Sequence, residues 1–289
     1  MTQPIRIAVC LYGQIRAEQV CRPWLDVQYG FETLKLKENP LDHTRPSIIR
    51  EDNVEIDYFI ATKDYDTRYR TFDSREKIQR SSQDINSYID HYHPVKYDVA
   101  TYEQELSYNL PTDNYGMAIF YIVAKSVLLK QQYELKTGIK YDVCVVQRPE
   151  ILLGPRPEAF KQHLEQVGIS PNTVFVEKTK FFFESDGWLD ARQDLFFFGS
   201  NFAVDQLISR FSMLWEHAPH KRRDLGLNTH TQLPNLAYIS NTKLESTDVA
   251  AAIVRENADH NRSILDSFDY HSEFWLAHHL SVLREISKE

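Results

Sequence analysis

Ile5-Arg6-Ile7-Ala8-Val9-Cys10-Leu11-Tyr12-Gly13-Gln14-Ile15-Arg16 carries a mostly apolar run, free of Gly and Pro as far as Tyr12, straight into a glycine turn followed by an arginine. Such a run suits a strand buried on both faces, as in parallel sheets whose two sides are covered by helices. Gly13 permits the tight turn because it lacks the Cβ that restricts other residues. Gln14 and Arg16 then follow as donors. At the carboxyl end of a central strand, a guanidinium and backbone N–H groups are placed to hold a phosphate or diphosphate. The competing reading is a solvated turn with an ordinary surface arginine.

Working outward, further strands are expected at Ile56 to Ala61, Lys96 to Thr101, Tyr141 to Val146, Thr173 to Val176 and Leu195 to Phe198, with helical patterns between several of them. Asp73-Ser74-Arg75-Glu76 has the spacing of a capping box and predicts a helix running towards His91, with Pro94 ending it. Asn114 to Thr137 predicts a long helix with Met117, Phe120, Val123, Ala124, Val127 and Leu128 on one face and Gly138 as its stop. Pro157 to Val167 reads as a short helix, and Asn201 to Trp215 as another after a Gly199-Ser200 turn. Lys221 to Asn241 reads as loop, with Thr247 to Glu256 and His271 to Ile286 as the last helices. Alternating strand and helix predict an α/β fold built on a mainly parallel, helix-covered sheet, with a C-terminal helical portion.

The composition narrows the function classes. Hydrophobic content of 42% with 26% charged residues is globular. Basic residues number 33 against 41 acidic ones, a formal charge of -8, which argues against a polyanion-binding surface and so against nucleic acid as a partner. The cysteines are Cys10, Cys21 and Cys144; the first and last lie inside apolar runs, where Cys acts as a small hydrophobe, and a reducing cytoplasmic location is expected. No signal peptide or integral membrane segment is expected from the start of the chain. His217, His220 and the adjacent His278 and His279 invite a metal reading, but no cysteine pairs accompany them, and neighbouring helical histidines point to different faces.

Four stretches, in order and spacing, resemble a group of poorly characterised GT-A-like glycosyltransferases of bacteria, phages and large viruses. Tyr12-Gly13-Gln14-Ile15-Arg16 is similar to that family's Ser-Gly-Gln-x-Arg turn, with tyrosine for the small residue. Ile56-Asp57-Tyr58-Phe59-Ile60-Ala61-Thr62-Lys63-Asp64 resembles its Asp-Val-Phe-Ile-x-Thr-Trp-Asp strand, with lysine for tryptophan. Tyr141 to Glu150 is similar to a strand ending in Arg-x-Asp, here Arg148-Pro149-Glu150, and Asp194 to Ser200 resembles an Asp-x-Phe-x-x-Gly turn into a helix. The resemblance implies a GT-A-like, Rossmann-like fold. Residues 1–220 would be the nucleotide-sugar-binding and catalytic region, and 221–289 loop and helices packing on the same domain. It implies transfer of a sugar from a nucleotide-diphosphate-sugar donor to a glycan or other hydroxyl acceptor.

That chemistry assigns candidate roles. Negative charge grows on the departing diphosphate, so cations and aimed donors are needed beside it. Gly13, Gln14, Arg16, Thr62 and Asp64 are the candidates near the nucleotide. GT-A-like enzymes usually hold Mn²⁺ or Mg²⁺ with an Asp-x-Asp motif, and here a single carboxylate stands at the matching place. Either Glu150 binds the metal with water and phosphate completing the shell, or Arg148 carries the electrostatic role, or the two pair with each other at the strand end. The literal triplet Asp64-Tyr65-Asp66 is about what chance supplies in a chain with this much aspartate. Asp194 is the first candidate for the base that takes the acceptor's proton and Asp190 the second, both beside the aromatic stretch around Trp188. Lys125 is expected to be solvated. The absent second carboxylate also motivates an alternative, a catalytically silent nucleotide-sugar or glycan-binding protein. A nucleotidyltransferase ranks behind both, for want of paired carboxylates.

Overall fold

The structure is a computed structural model that describes residues 5–15, 54–71, 74–101, 104, 115–154, 167, 170–176, 196–217, 232–246 and 250–253. In chain order its elements are β1 (Ile5–Gly13), β2 (Val54–Lys63), β3 (Tyr65–Thr71), β4 (Ser74–Gln79), α1 (Ser82–Tyr92), β5 (Lys96–Ala100), α2 (Tyr115–Thr137), β6 (Val143–Gln147), β7 (Ile151–Gly154), β8 (Thr173–Val176), β9 (Phe196–Ser200), α3 (Asn201–His217), α4 (Gln232–Ser240), β10 (Lys243–Ser246) and β11 (Ala250–Ile253). Seven of the strands form one sheet in the order β10-β8-β9-β6-β1-β2-β5. Every neighbouring pair is parallel except the two that involve β9. The protein is therefore α/β, with a mostly parallel sheet compatible with a Rossmann-like fold.

Burial explains why the opening run becomes the centre of that sheet. Ile7 to Tyr12 are all buried, and alternate residues feed opposite layers. Ile7, Val9 and Leu11 join Ile56, Tyr58, Ile60, Val143, Val145, Phe196 and Phe198 in the layer that receives Tyr88 and Tyr92 of α1. Ala8, Cys10 and Tyr12 join Phe59, Ala61, Cys144, Val146 and Phe197 in the layer packed against α2, α3 and α4. Helices thus cover both faces, as the unbroken apolar strands require. Cys10 and Cys144 meet in the second layer with their sulfurs 3.8 Å apart. Burial first, then the neighbouring Cys144, pushes the Cys10 thiol pKa well up, so it stays protonated and inert.

Helix ends follow local chemistry. In α1, Ser81 is the N-cap and accepts from the Asp84 backbone N–H, while His93 closes the far end at φ 43 and Pro94 follows. In α2, Gly138 adopts φ +76 and its N–H donates to the Glu134 carbonyl at 2.8 Å, a left-handed cap. Phe120, Val123 and Val127 are buried on its apolar face, whereas Leu128 is 48% exposed; the Met117 side chain lies outside the described residues.

Several sequence expectations are corrected. Asp73-Ser74-Arg75-Glu76 does not open a helix: residues 74–79 are β4, which pairs antiparallel with β3, and α1 starts eight residues later at its own cap. A capping box contributes only where the following residues bury an apolar face, and Ser74–Gln79 has none at helical spacing. Gly199-Ser200 is the end of β9 rather than a turn, and α3 starts directly after it, with Ser200 Oγ accepting from the Ala203 N–H at 3.0 Å. Gly199 is needed there for space, since a Cβ would lie 2.7 Å from the Thr173 carbonyl oxygen on the neighbouring strand. Within the stretch read as loop, Gln232–Ser240 is helix α4, its Leu233, Leu236 and Ala237 buried against the sheet. Within the stretch read as helix, Ala250–Ile253 is β11, paired antiparallel with β7. The expected helices at Pro157 to Val167 and His271 to Ile286 lie outside the described residues, apart from helical Val167. Among the described residues, no helix is long and apolar enough to cross a membrane.

Candidate functional site

Strand order creates the site. From β1 the chain builds outward through β2 to β5, then returns through α2 to place β6 on the other side of β1. Loops leaving the carboxyl ends of β1 and β6 therefore diverge, and open α/β sheets bind ligands in the crevice that such a reversal opens. Gly13 pairs with Thr62 across β1 and β2, and Leu11 pairs with Gln147 across β1 and β6. With neighbouring strands about 4.8 Å apart, the turns after β6, β1 and β2 lie side by side along roughly 10 Å of one sheet edge.

Four of the candidate nucleotide residues are brought together there. Gly13 holds φ +108, a conformation side chains disfavour, and nothing among the described residues lies within 4 Å of where its Cβ would stand. Thr62 is 1% exposed and donates from Oγ1 to the Gly13 carbonyl at 2.8 Å, tying the two turns together. Gln14 is half-buried just beyond. Asp64 stands where β2 gives way to the β3–β4 hairpin, its N–H donating to the Ala100 carbonyl at 3.1 Å and its own carbonyl accepting from Arg80 N–H at 2.8 Å. Arg16 lies outside the described residues, as do Asp190, Asp194, Trp188, His220, His278, His279 and the His217 side chain.

On the other flank, Arg148 and Glu150 pair with each other, the guanidinium donating to Glu150 Oε1. The Glu150 side chain is 0% exposed and that of Arg148 is 13% exposed. Two buried carboxylate oxygens at this sheet edge, Asp64 Oδ1 and Glu150 Oε2, have no hydrogen-bond partner among the described residues. An enclosed acceptor without a donor is costly, so at half-buried Asp64 a ligand O–H or N–H is stabilising.

A hard divalent cation fits this donor set poorly. Mg²⁺ takes about six oxygen ligands, keeps several waters, and binds carboxylates that can face that hydrated shell. Glu150 is wholly enclosed and shares its carboxylate with a guanidinium of the same sign as the ion. Among the described residues, no three His, Cys, Asp or Glu side chains are grouped to hold a metal.

A second polar cluster went unread in the sequence. Behind the α2 layer, Lys130 Nζ lies 3.2 Å from Glu134 Oε2 and 2.8 Å from Asp205 Oδ1, and donates to Asn201 Oδ1. Asn201 Nδ2 donates back to Glu134 Oε1 at 2.8 Å. Burial works to lower the Lys130 pKa, but ionisable Cys144 and the Asp205 carboxylate outweigh it and hold the ammonium above its ordinary value. The i, i+4 spacing of Lys130 and Glu134 was the available signal. Lys125, expected in solvent, instead pairs with Asp98 at 2.6 Å and is 20% exposed. The chain matches no protein-family model and no curated protein.

Proposed function

We propose that the chain is a GT-A-like glycosyltransferase that takes a nucleotide-diphosphate-sugar donor and transfers its sugar to a glycan or other hydroxyl acceptor. The observation that carries this reading is the convergence of the turns after β6, β1 and β2 on one sheet edge at the chain reversal. Three of the four stretches behind the family resemblance end at that edge, and the fourth runs through β9, the neighbour of β6.

Each candidate then has a role. Gly13, Gln14 and Thr62 line the nucleotide end, where backbone freedom at Gly13 lets a ligand approach the main chain, and the resemblance gives Arg16 a role with the same nucleotide. Asp64 Oδ1 is an acceptor waiting for a hydroxyl, which ribose or a transferable sugar supplies. Arg148 faces the diphosphate, whose developing charge a fixed guanidinium stabilises. Asp194, with Asp190 second, takes the acceptor's proton as the new glycosidic bond forms.

A panel of UDP- and GDP-sugars, assayed for nucleotide release with and without Mn²⁺, tests the proposal alongside thermal-shift measurements with UDP and GDP. Release from one donor class together with a stabilising shift by its nucleotide is the expected result. No release and no shift across the panel would overturn it. Binding without turnover would favour the catalytically silent nucleotide-sugar or glycan-binding alternative.

A further inference from the structure

We propose that the diphosphate is held here without a divalent cation: Arg148 supplies the positive charge, and Glu150 is the positioning residue that aims it. This rests on the nucleotide-sugar reading above and narrows it.

The buried pair is the observation that carries the inference. Arg148 leaves the end of central strand β6, next to the crevice, while Glu150, two residues on, is completely enclosed and accepts the guanidinium on Oε1. A guanidinium anchored through one N–H on a buried carboxylate is aimed by it, and the guanidinium fork is the side-chain geometry that matches phosphate oxygens. The same carboxylate cannot serve a hydrated metal ion. It has no exposed surface for the ion's waters, and the nearest charge to it is already positive. A permanently protonated arginine provides what the ion would otherwise provide, without loading and at any physiological pH.

Four measurements on the full chain test this. Calorimetric titration with UDP and with GDP is run in EDTA and again in Mn²⁺. The affinities are expected to agree within about threefold, since a residue rather than an ion holds the diphosphate. Arg148→Ala is expected to weaken binding in EDTA roughly 10- to 100-fold, with Arg148→Lys in between because a point charge lacks the fork. Glu150→Gln is expected to weaken binding equally in both buffers and to add nothing in the Arg148→Ala background. A merely structural effect would persist in that background, and a lost metal ligand would weaken only the Mn²⁺ titration. The paramagnetic resonance signal of free Mn²⁺ should stay unchanged when the chain alone is added. Binding that requires Mn²⁺, or that survives Arg148→Ala, overturns the inference while leaving the nucleotide-sugar reading intact. Failure of both nucleotides to bind in either buffer overturns the two together. Should the variants not fold, the wild-type comparison of EDTA with Mn²⁺ decides alone.

Discussion

Replacing Lys130 by methionine measures how firmly its buried cation ties α2 to α3. Lys130 is fully enclosed, and methionine fills a similar volume, so the change removes charge rather than packing. Glu134, 3% exposed, is then left with hydrogen bonds from Asn201 Nδ2 at 2.8 Å and the Tyr141 N–H at 3.4 Å. Breaking a buried ion pair by removing one partner costs about 3–5 kcal/mol. Those remaining bonds, together with the solvent access of 26%-exposed Asp205, put this case at the lower end, about 3 kcal/mol. Unfolding entropy near 60 °C is about 2.1 cal/mol/K per residue, or about 0.6 kcal/mol/K for 289 residues, so Tm should fall by about 5 °C. Guanidinium denaturation followed by circular dichroism gives the free energy, and calorimetry gives Tm. Lys130→Met/Glu134→Leu removes both charges, and since apolar replacement of a whole buried pair is neutral to stabilising, it should recover at least half of the loss. A single-variant loss below about 1 kcal/mol, the range of exposed pairs, would refute the reasoning. So would a double variant no better than the sum of the two single changes.

Gly13→Ala should destabilise by about 1–3 kcal/mol in urea denaturation through backbone strain at φ +108, since no atom of the described residues lies within 4 Å of the added Cβ. Gly199→Ala should cost about 1–3 kcal/mol for the opposite reason, a methyl group driven against the Thr173 carbonyl; an unchanged midpoint would show that β8 and β9 separate easily. Thr62→Val keeps the shape and removes the 2.8 Å bond to the Gly13 carbonyl, costing about 1 kcal/mol by the same assay. Stability should also decline in alkali. Cys10, Lys130 and Tyr141 all have raised pKa values in the folded chain, Tyr141 through burial first and then its hydrogen bond to Asp57. As pH rises past the ordinary thiol value of 9.0, the unfolded chain releases protons that the folded chain still holds, so stability falls with pH. Urea midpoints should be insensitive to these three groups at neutral pH and drop above pH 9; a midpoint that rises there contradicts the assignment.

What the sequence could convey about the fold was whatever burial imprints locally. Ile7 to Tyr12, Val143 to Val146, Val174 to Val176 and Phe196 to Phe198 each sit between two packed layers, so apolar character at every position betrays them without any knowledge of neighbours. Caps and stops are equally local, which is why Gly138 marks the end of α2 correctly. The β3–β4 hairpin escapes because its strands are polar in sequence and paired with each other, so they carry little of the apolar alternation that marks a strand. Strands β10 and β11 span only four residues each, too few for any periodicity.

At the candidate site the division is similar. The opening turn, the strand-end Thr62 and the Arg148–Glu150 pair were all visible as residue types at strand ends, and the ion pair was among the readings weighed for that turn. Strand direction and order were not visible, because Phe196-Phe197-Phe198 looks the same whether β9 runs with its neighbours or against them. Nor could any local pattern reveal that Lys130 meets Asp205, 75 positions away, or that Glu150 is enclosed rather than open to a hydrated ion. The chain alone determined which segments are buried strands and helices, since each residue's affinity for water acts where it stands. The tertiary structure decided which loops share an edge and which charges lose contact with water, since adjacency and desolvation belong to the packed sheet and to no single segment of it.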